Sequence, residues 1–166
     1  MKNLEQKFRC ADLAAAEAAA RQLGATDRGI LQQHDYFFSA PNARLKLRRI
    51  AGREGGELIS YRRPDSADAR TSDYTIAPIA NADALITTLT HALGTPRELI
   101  KTRRLFIYKS TRIHIDRVAD LGAFVELETM LTTQTPADAE AELNTIVEAL
   151  HLRDPVPTAY VDLVTT

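Results

Sequence analysis

The chain has 166 residues, of which 45% are hydrophobic and 26% charged, an ordinary globular composition that excludes a disordered chain and gives one domain a sizeable core. Lys+Arg number 21 against 22 Asp+Glu, so the net charge of −1 excludes a generally basic nucleic-acid or membrane-surface binder, and any polyanion site must be a local concentration of charge. A single cysteine, Cys10, excludes a disulfide framework or a cysteine-based zinc site; with no signal-peptide pattern in MKNLEQKFRC and no membrane-length apolar run, the expectation is a cytoplasmic protein.

Residues 3–10 alternate, with Leu4, Phe8 and Cys10 on one parity and Asn3, Glu5, Lys7 and Arg9 on the other, which predicts a half-buried strand. Asp12 reads as the N-cap of an alanine-rich helix reaching about Leu23 and closed by Gly24. Residues 28–38 read as a strand and Ala40-Pro41-Asn42 as a turn. Strands over 43–50 and 57–63 flank a glycine-rich hairpin loop, and the polar stretch Pro64–Thr71 precedes a short strand at 72–77. Asn81 caps a helix to about Leu93. Strands follow at 97–108, 111–118 and 122–130, then Thr135-Pro136 opens a helix to about Leu150. The segment 158–164 reads as a short strand or a helical turn. Eight or so strands joined mainly as hairpins, with three helices, predict an α+β fold with a largely antiparallel sheet, and closing that sheet into a barrel removes its edges.

Several standard chemistries are missing: GxxxxGK[ST], GxGxxG and GxSxG do not occur, and His34, His91, His114 and His151 lack HExxH spacing. The informative feature is the polar parity of the strands. Arg44, Lys46 and Arg48 share one face, as do Ser60 and Arg62, Lys101 and Arg103, then Arg112, His114 and Asp116, and finally Glu126 and Glu128. A sheet with one solvated face shows the same alternation. Two like charges about 7 Å apart, however, cost about 2 kcal/mol at an effective dielectric of about 20. Segregated basic rows are better explained by a polyanion among them, and paired carboxylates by a hard cation such as Mg²⁺ or Mn²⁺. His114 reads as a polar filler beside these rows or as a tuner of a neighbouring carboxylate, and Cys10 as inert core.

At these residues the chain resembles the CYTH superfamily, the triphosphate tunnel metalloenzymes that include class IV adenylate cyclases and thiamine triphosphatases. The N-terminal ExExK of that family reads Asn3-Leu4-Glu5-Gln6-Lys7 here, with Asn in the first acidic position. The likeness continues through Gln33-His34-Asp35-Tyr36-Phe37-Phe38, Arg44-Leu45-Lys46-Leu47-Arg48 and Leu58-Ile59-Ser60-Tyr61-Arg62-Arg63-Pro64. It resumes at Lys101-Thr102-Arg103, Arg112-Ile113-His114-Ile115-Asp116 and Leu121-Gly122-Ala123-Phe124-Val125-Glu126-Leu127-Glu128. The resemblance implies a single CYTH-like domain over residues 1–166, folded as an eight-stranded antiparallel β-barrel open as a tunnel, with helices packed outside. It implies Glu5, Asp116, Glu126 and Glu128 as ligands for Mg²⁺ or Mn²⁺, and Glu5, Lys7, Glu126 and Glu128 as the catalytic set. Lys7, Arg44, Lys46, Arg48, Arg62, Lys101, Arg103 and Arg112 would cradle the triphosphate.

The function so implied is metal-dependent hydrolysis of inorganic, nucleoside or thiamine triphosphate. The alternatives are cyclisation of ATP to cyclic AMP and a non-catalytic polyphosphate- or nucleotide-binding module, which Asn3 makes plausible. The His-Phe element that precedes ExExK in some class IV cyclases is not found ahead of Asn3, which favours hydrolysis over cyclisation. The expected partner is a triphosphate-containing small molecule, with neither nucleic acid nor membrane, and homodimer formation is left open.

Overall fold

The computed structural model describes residues 1–132 and 134–163. The elements run β1 (Lys2–Arg9), α1 (Leu13–Gln22), β2 (Thr26–Phe38), β3 (Arg44–Ile50), β4 (Gly56–Arg62), β5 (Arg70–Ile79), α2 (Ala82–Leu93), β6 (Arg97–Tyr108), β7 (Thr111–Val118), β8 (Gly122–Met130), α3 (Pro136–Ala149), β9 (Asp154–Pro155) and α4 (Tyr160–Leu163). The sheet order is β5-β4-β3-β2-β6-β7-β8-β1, and β1 pairs again with β5, so eight antiparallel strands close into a barrel without a free edge. The expected strands and the three long helices are all present.

Because the strands alternate, every second residue points into the barrel, and here the inward row carries most of the charge. The apolar core therefore lies outside the barrel, between the sheet and its helices. Helix α1 starts where the Asp12 carboxylate accepts from Ala15 N at 3.0 Å, and it buries Ala16 and Ala20 one turn apart. Helix α3 begins with a capping box between Thr135 and Asp138 and presents Ala139, Leu143 and Ile146 at helical spacing. Both pack with Leu4, Phe8, Phe106, Ile113, Ile115, Val125 and Leu127 from the outer face of β1 and β6–β8. Helix α2, capped by Asn81, covers Phe38, Leu47 and Leu58 on the opposite side.

The chain end shuts one end of the barrel. Strand β9 is a two-residue bridge to the end of β1, with Phe8 opposite Pro155, and it was not foreseen from the sequence. The segment then crosses the opening and ends in α4, the helical alternative of the two expected for 158–164; residue 164 lies outside the described residues. Lys7 Nζ donates to Thr158 O at 3.2 Å, Arg70 to Pro157 O at 2.8 Å and Arg97 to Val161 O at 3.1 Å. Leu99, Val118, Phe124, Val156 and Tyr160 form a small core at this end. No helix among the described residues is long and apolar enough to cross a membrane.

Candidate functional site

Inside the barrel is a cavity of about 450 Å³ whose wall is the inward row of all eight strands. Cross-strand register stacks the charges. Glu5 faces Glu128 and Lys7 faces Glu126 between β1 and β8, while Arg112 and His114 of β7 face the same two glutamates from the other side. Arg48 faces Asp35 across β2 and β3. The two halves of the wall have opposite character.

The cationic half is organised by one carboxylate. Asp35 is fully buried and takes Arg48 through two hydrogen bonds of 2.7 and 2.8 Å, while Lys46 and Lys101 each approach at 3.4 Å. Burial would raise its carboxyl, but Arg48, Lys46 and Lys101 together hold it well below the usual carboxylate range. One negative charge thus orients three basic side chains and leaves a positive surplus facing the cavity. Crowding has a cost for the lysines: burial, with Arg103 nearby, lowers the Lys101 ammonium to about 7.

The acidic half contains Glu126, Glu128 and Glu5, with cations between them. Burial works against the Glu126 carboxylate, but Lys7 at 3.5 Å and Arg103 at 3.1 Å hold it well below its ordinary value. Glu5 behaves oppositely. Burial and the charge of Glu126 push its carboxyl up to about 7, although Arg63 lies 2.6 Å away and Arg70 3.4 Å. His114 is buried, and its Nδ1 lies 3.7 Å from Glu126 and 3.6 Å from Glu128, beyond hydrogen-bond reach. That nitrogen has no hydrogen-bond partner among the described residues, and neither does the buried Asn3 Oδ1. Donor atoms of His114, Glu126 and Glu128 all lie within 4.8 Å of one another. Two carboxylates and an unsatisfied imidazole nitrogen fit a divalent cation.

Nine of the expected site residues line this cavity: Glu5, Lys7, Lys46, Arg48, Lys101, Arg103, Arg112, Glu126 and Glu128. Three do not line it. Arg62 points to the outer face and donates to Asn42 O, because β4 turns Glu57, Ile59, Tyr61 and Arg63 inward. Leu58, on the parity of Arg62, packs outside under α2. Arg44 has inward parity but sits at the closed end, beside a second cavity of about 240 Å³, and is held by Asp65 and Asp162. Asp116, expected as a metal ligand, is fully buried with both oxygens committed. Arg103 grips it at 2.7 and 2.5 Å, and Tyr160 donates its hydroxyl at 3.0 Å. Glu5 lines the cavity but falls outside the three-residue donor group, drawn instead toward Arg63 and Arg70.

The sequence reading missed Arg63, missed Asp35 as an organiser, and passed over His114. His114 had a usable signal, since its parity matches Arg112 and Asp116 and β7 lies beside β8. Gln33 and Asp35 are the inward residues of Gln33-His34-Asp35, and Asp35 carried no mark beyond its alternation. Tyr160 closes the floor, with Lys7 Nζ 3.8 Å from its ring centroid and Phe124 edge-on at 5.0 Å.

A closed antiparallel barrel with a polarised lumen and helices outside defines a tunnel fold. The chain belongs to the CYTH domain family, whose model matches residues 1–155. A protein from Pyrococcus horikoshii has a similar structure, with TM-score 0.87 at 20% identity, covering 98% of this chain and 99% of that one. A candidate adenylate cyclase from Vibrio parahaemolyticus has TM-score 0.77 at 20% identity, covering 97% and 96%. A Hippeastrum protein, described as a candidate adenylyl cyclase with dominant triphosphatase activity, has TM-score 0.64 at 14% identity, covering 95% and 91%. No curated protein matches the sequence.

Proposed function

We propose that the protein is a divalent-metal-dependent hydrolase of a triphosphate-containing small molecule. The observation that carries this reading is the polarised lumen, where a positive surplus around Asp35 faces an acidic group around His114, Glu126 and Glu128. A polyphosphate bound with its cation satisfies both halves at once. The family, and the triphosphatase activity in the description of the Hippeastrum protein, support the same reaction class.

In this reading Arg48 offers its guanidinium to phosphate oxygens while its other face stays on Asp35, and Lys46 and Lys101 add compact charges. Lys7 and Arg103 bridge the halves, because both touch Glu126 and both lie on the floor. Asp116 and Tyr160 act as positioning residues that lock Arg103 in place. A divalent cation held by His114, Glu126 and Glu128 would neutralise charge on the phosphate oxygens. Glu5, with its carboxyl near 7, is placed to exchange a proton with water at neutral pH.

Cyclisation of ATP is the second reading, favoured by one observation. Leu31, Ile50, Ile76 and Leu105 line the same cavity, an apolar wall that suits an organic group on the triphosphate. The test is a matrix of Mg²⁺ or Mn²⁺ against inorganic triphosphate, ATP and thiamine triphosphate, with phosphate and cyclic AMP both measured. Metal-dependent phosphate release is the expected result. Cyclic AMP as the main product would favour the second reading, and folded protein inactive in every combination would overturn both.

A further inference from the structure

We propose that His114 is a direct ligand of the tunnel cation, and that its nitrogen makes the site select Mn²⁺ over Mg²⁺. The inference rests on the cation-site reading above and concerns a residue that the sequence pattern did not mark as a ligand. The geometry is local. His114 stands directly across from Glu126 in the β7–β8 ladder, and Glu128 is the next inward residue of β8.

A histidine that merely fills space in a dry buried position satisfies its ring nitrogens with a carbonyl or a carboxylate. His114 Nδ1 has neither within hydrogen-bond distance among the described residues. Its nearest acidic oxygens, at 3.6 and 3.7 Å, are too far to accept a hydrogen bond but close enough to share an ion with it. The side chain is buried, and Glu128 remains partly exposed to the cavity, so the three donors converge on the lumen instead of a sealed void.

The donor set then decides the ion. Mg²⁺ prefers oxygen ligands and gives up water reluctantly. Imidazole nitrogen favours transition-series ions, and carboxylates accept Mn²⁺ as readily as Mg²⁺. Two carboxylates and one imidazole therefore shift selectivity toward Mn²⁺ without excluding Mg²⁺.

The test uses the full-length protein, stripped with a chelator and titrated with Mn²⁺ by electron paramagnetic resonance, alone and with inorganic triphosphate. Pulsed measurements on the bound Mn²⁺ report nitrogen in its inner shell. Wild type should show imidazole ¹⁴N coupling, and His114→Gln should lose it. In that variant Mn²⁺ affinity should fall by about tenfold or more, while Mg²⁺ affinity, read by competition, changes by less than about threefold. Mn²⁺ that binds wild type, is lost in Glu126→Gln and shows no ¹⁴N coupling would overturn the ligand role of His114 and leave the cation site standing. Equal loss of Mn²⁺ and Mg²⁺ in His114→Gln would overturn the selectivity. Binding that Glu126→Gln does not change, or no binding by wild type in either condition, would overturn the site itself. The wild-type ¹⁴N measurement needs no variant, so a misfolded His114→Gln does not remove the test.

Discussion

The two halves of the lumen solve the problem of buried charge in opposite ways. Around Asp35 one carboxylate holds Arg48 and two lysines, a basic group fixed in place before any ligand arrives. Around Glu126 and Glu128 the carboxylates are interleaved with Lys7, Arg103 and Arg112, and an imidazole nitrogen has no hydrogen-bond partner among the described residues. In the proposed function the first half takes the anion and the second its cation, so that a metal-bound polyphosphate satisfies both, and the difference predicts which substitutions damage folding and which damage chemistry.

Glu126→Gln should have the largest effect on turnover. Loss of charge neutralisation worth several kcal/mol corresponds to a fall of about a hundred- to ten-thousandfold in kcat. Simple repulsion between Glu126 and Glu128 would make this variant more stable without metal, but the structure argues the reverse. Lys7 and Arg103 stabilise the ionised Glu126, so Gln should lower the Tm at neutral pH. A depressed carboxylate contributes stability above its unfolded value and loses it as pH falls, so the wild-type advantage should shrink in acid.

Asp35→Asn comes next and acts first on the fold. It leaves three buried or half-buried cations without their shared partner, a loss of about 3 kcal/mol or more, which in a chain of this size lowers Tm by about 6–12 °C. Inorganic triphosphate should recover part of that loss in a thermal melt, because it supplies the missing negative charge. No recovery would mean that the cations around Asp35 do not face the ligand.

Smaller and more local effects separate inward from outward residues. Arg48→Ala and Arg63→Ala should each weaken triphosphate binding by about ten- to a hundredfold, about 1.5–3 kcal/mol. Arg49→Ala and Arg62→Ala should change it by less than about threefold, since Arg49 pairs with Asp83 outside the barrel and Arg62 bonds Asn42. Calorimetric titration of the four variants checks the register strand by strand.

That register also shows what could be read from the sequence. Alternation exposed the inward rows of β1, β3 and β8 because one parity was charged and the other apolar. It failed on β4, where Ile59 and Tyr61 face inward with Glu57 while Leu58, Ser60 and Arg62 face outward. With apolar and polar residues mixed on both faces, parity points to the wrong arginine. Asp116 was placed on the correct face, but whether a carboxylate is free to bind metal depends on its cross-strand neighbour, and Arg103 lies opposite. Arg44 shows the same limit, since its parity is right and only the path of the chain end takes it out of the lumen. Strand β9 left no pattern because two residues carry no period, and its existence depends on β1 being already in place.

The smallest effect is a pH dependence. Lys101, lowered to about 7 by burial and its cationic neighbours, is mostly neutral above that pH. Triphosphate favours the charged form and draws a proton onto it, so affinity should fall as pH rises from 7 toward 9, by about tenfold per unit at most for one proton. Lys101→Arg stays charged throughout and should flatten that slope.

The most direct test of a two-part lumen is the coupling between its halves. Binding of inorganic triphosphate is measured by calorimetry with and without Mn²⁺, in wild type and in Glu126→Gln. Mn²⁺ should tighten triphosphate binding to wild type by about tenfold or more, within the usual 1–3 kcal/mol of coupling. Glu126→Gln should lose that enhancement and still bind the metal-free anion. Equal enhancement in both proteins, or none in wild type, would contradict a two-part lumen.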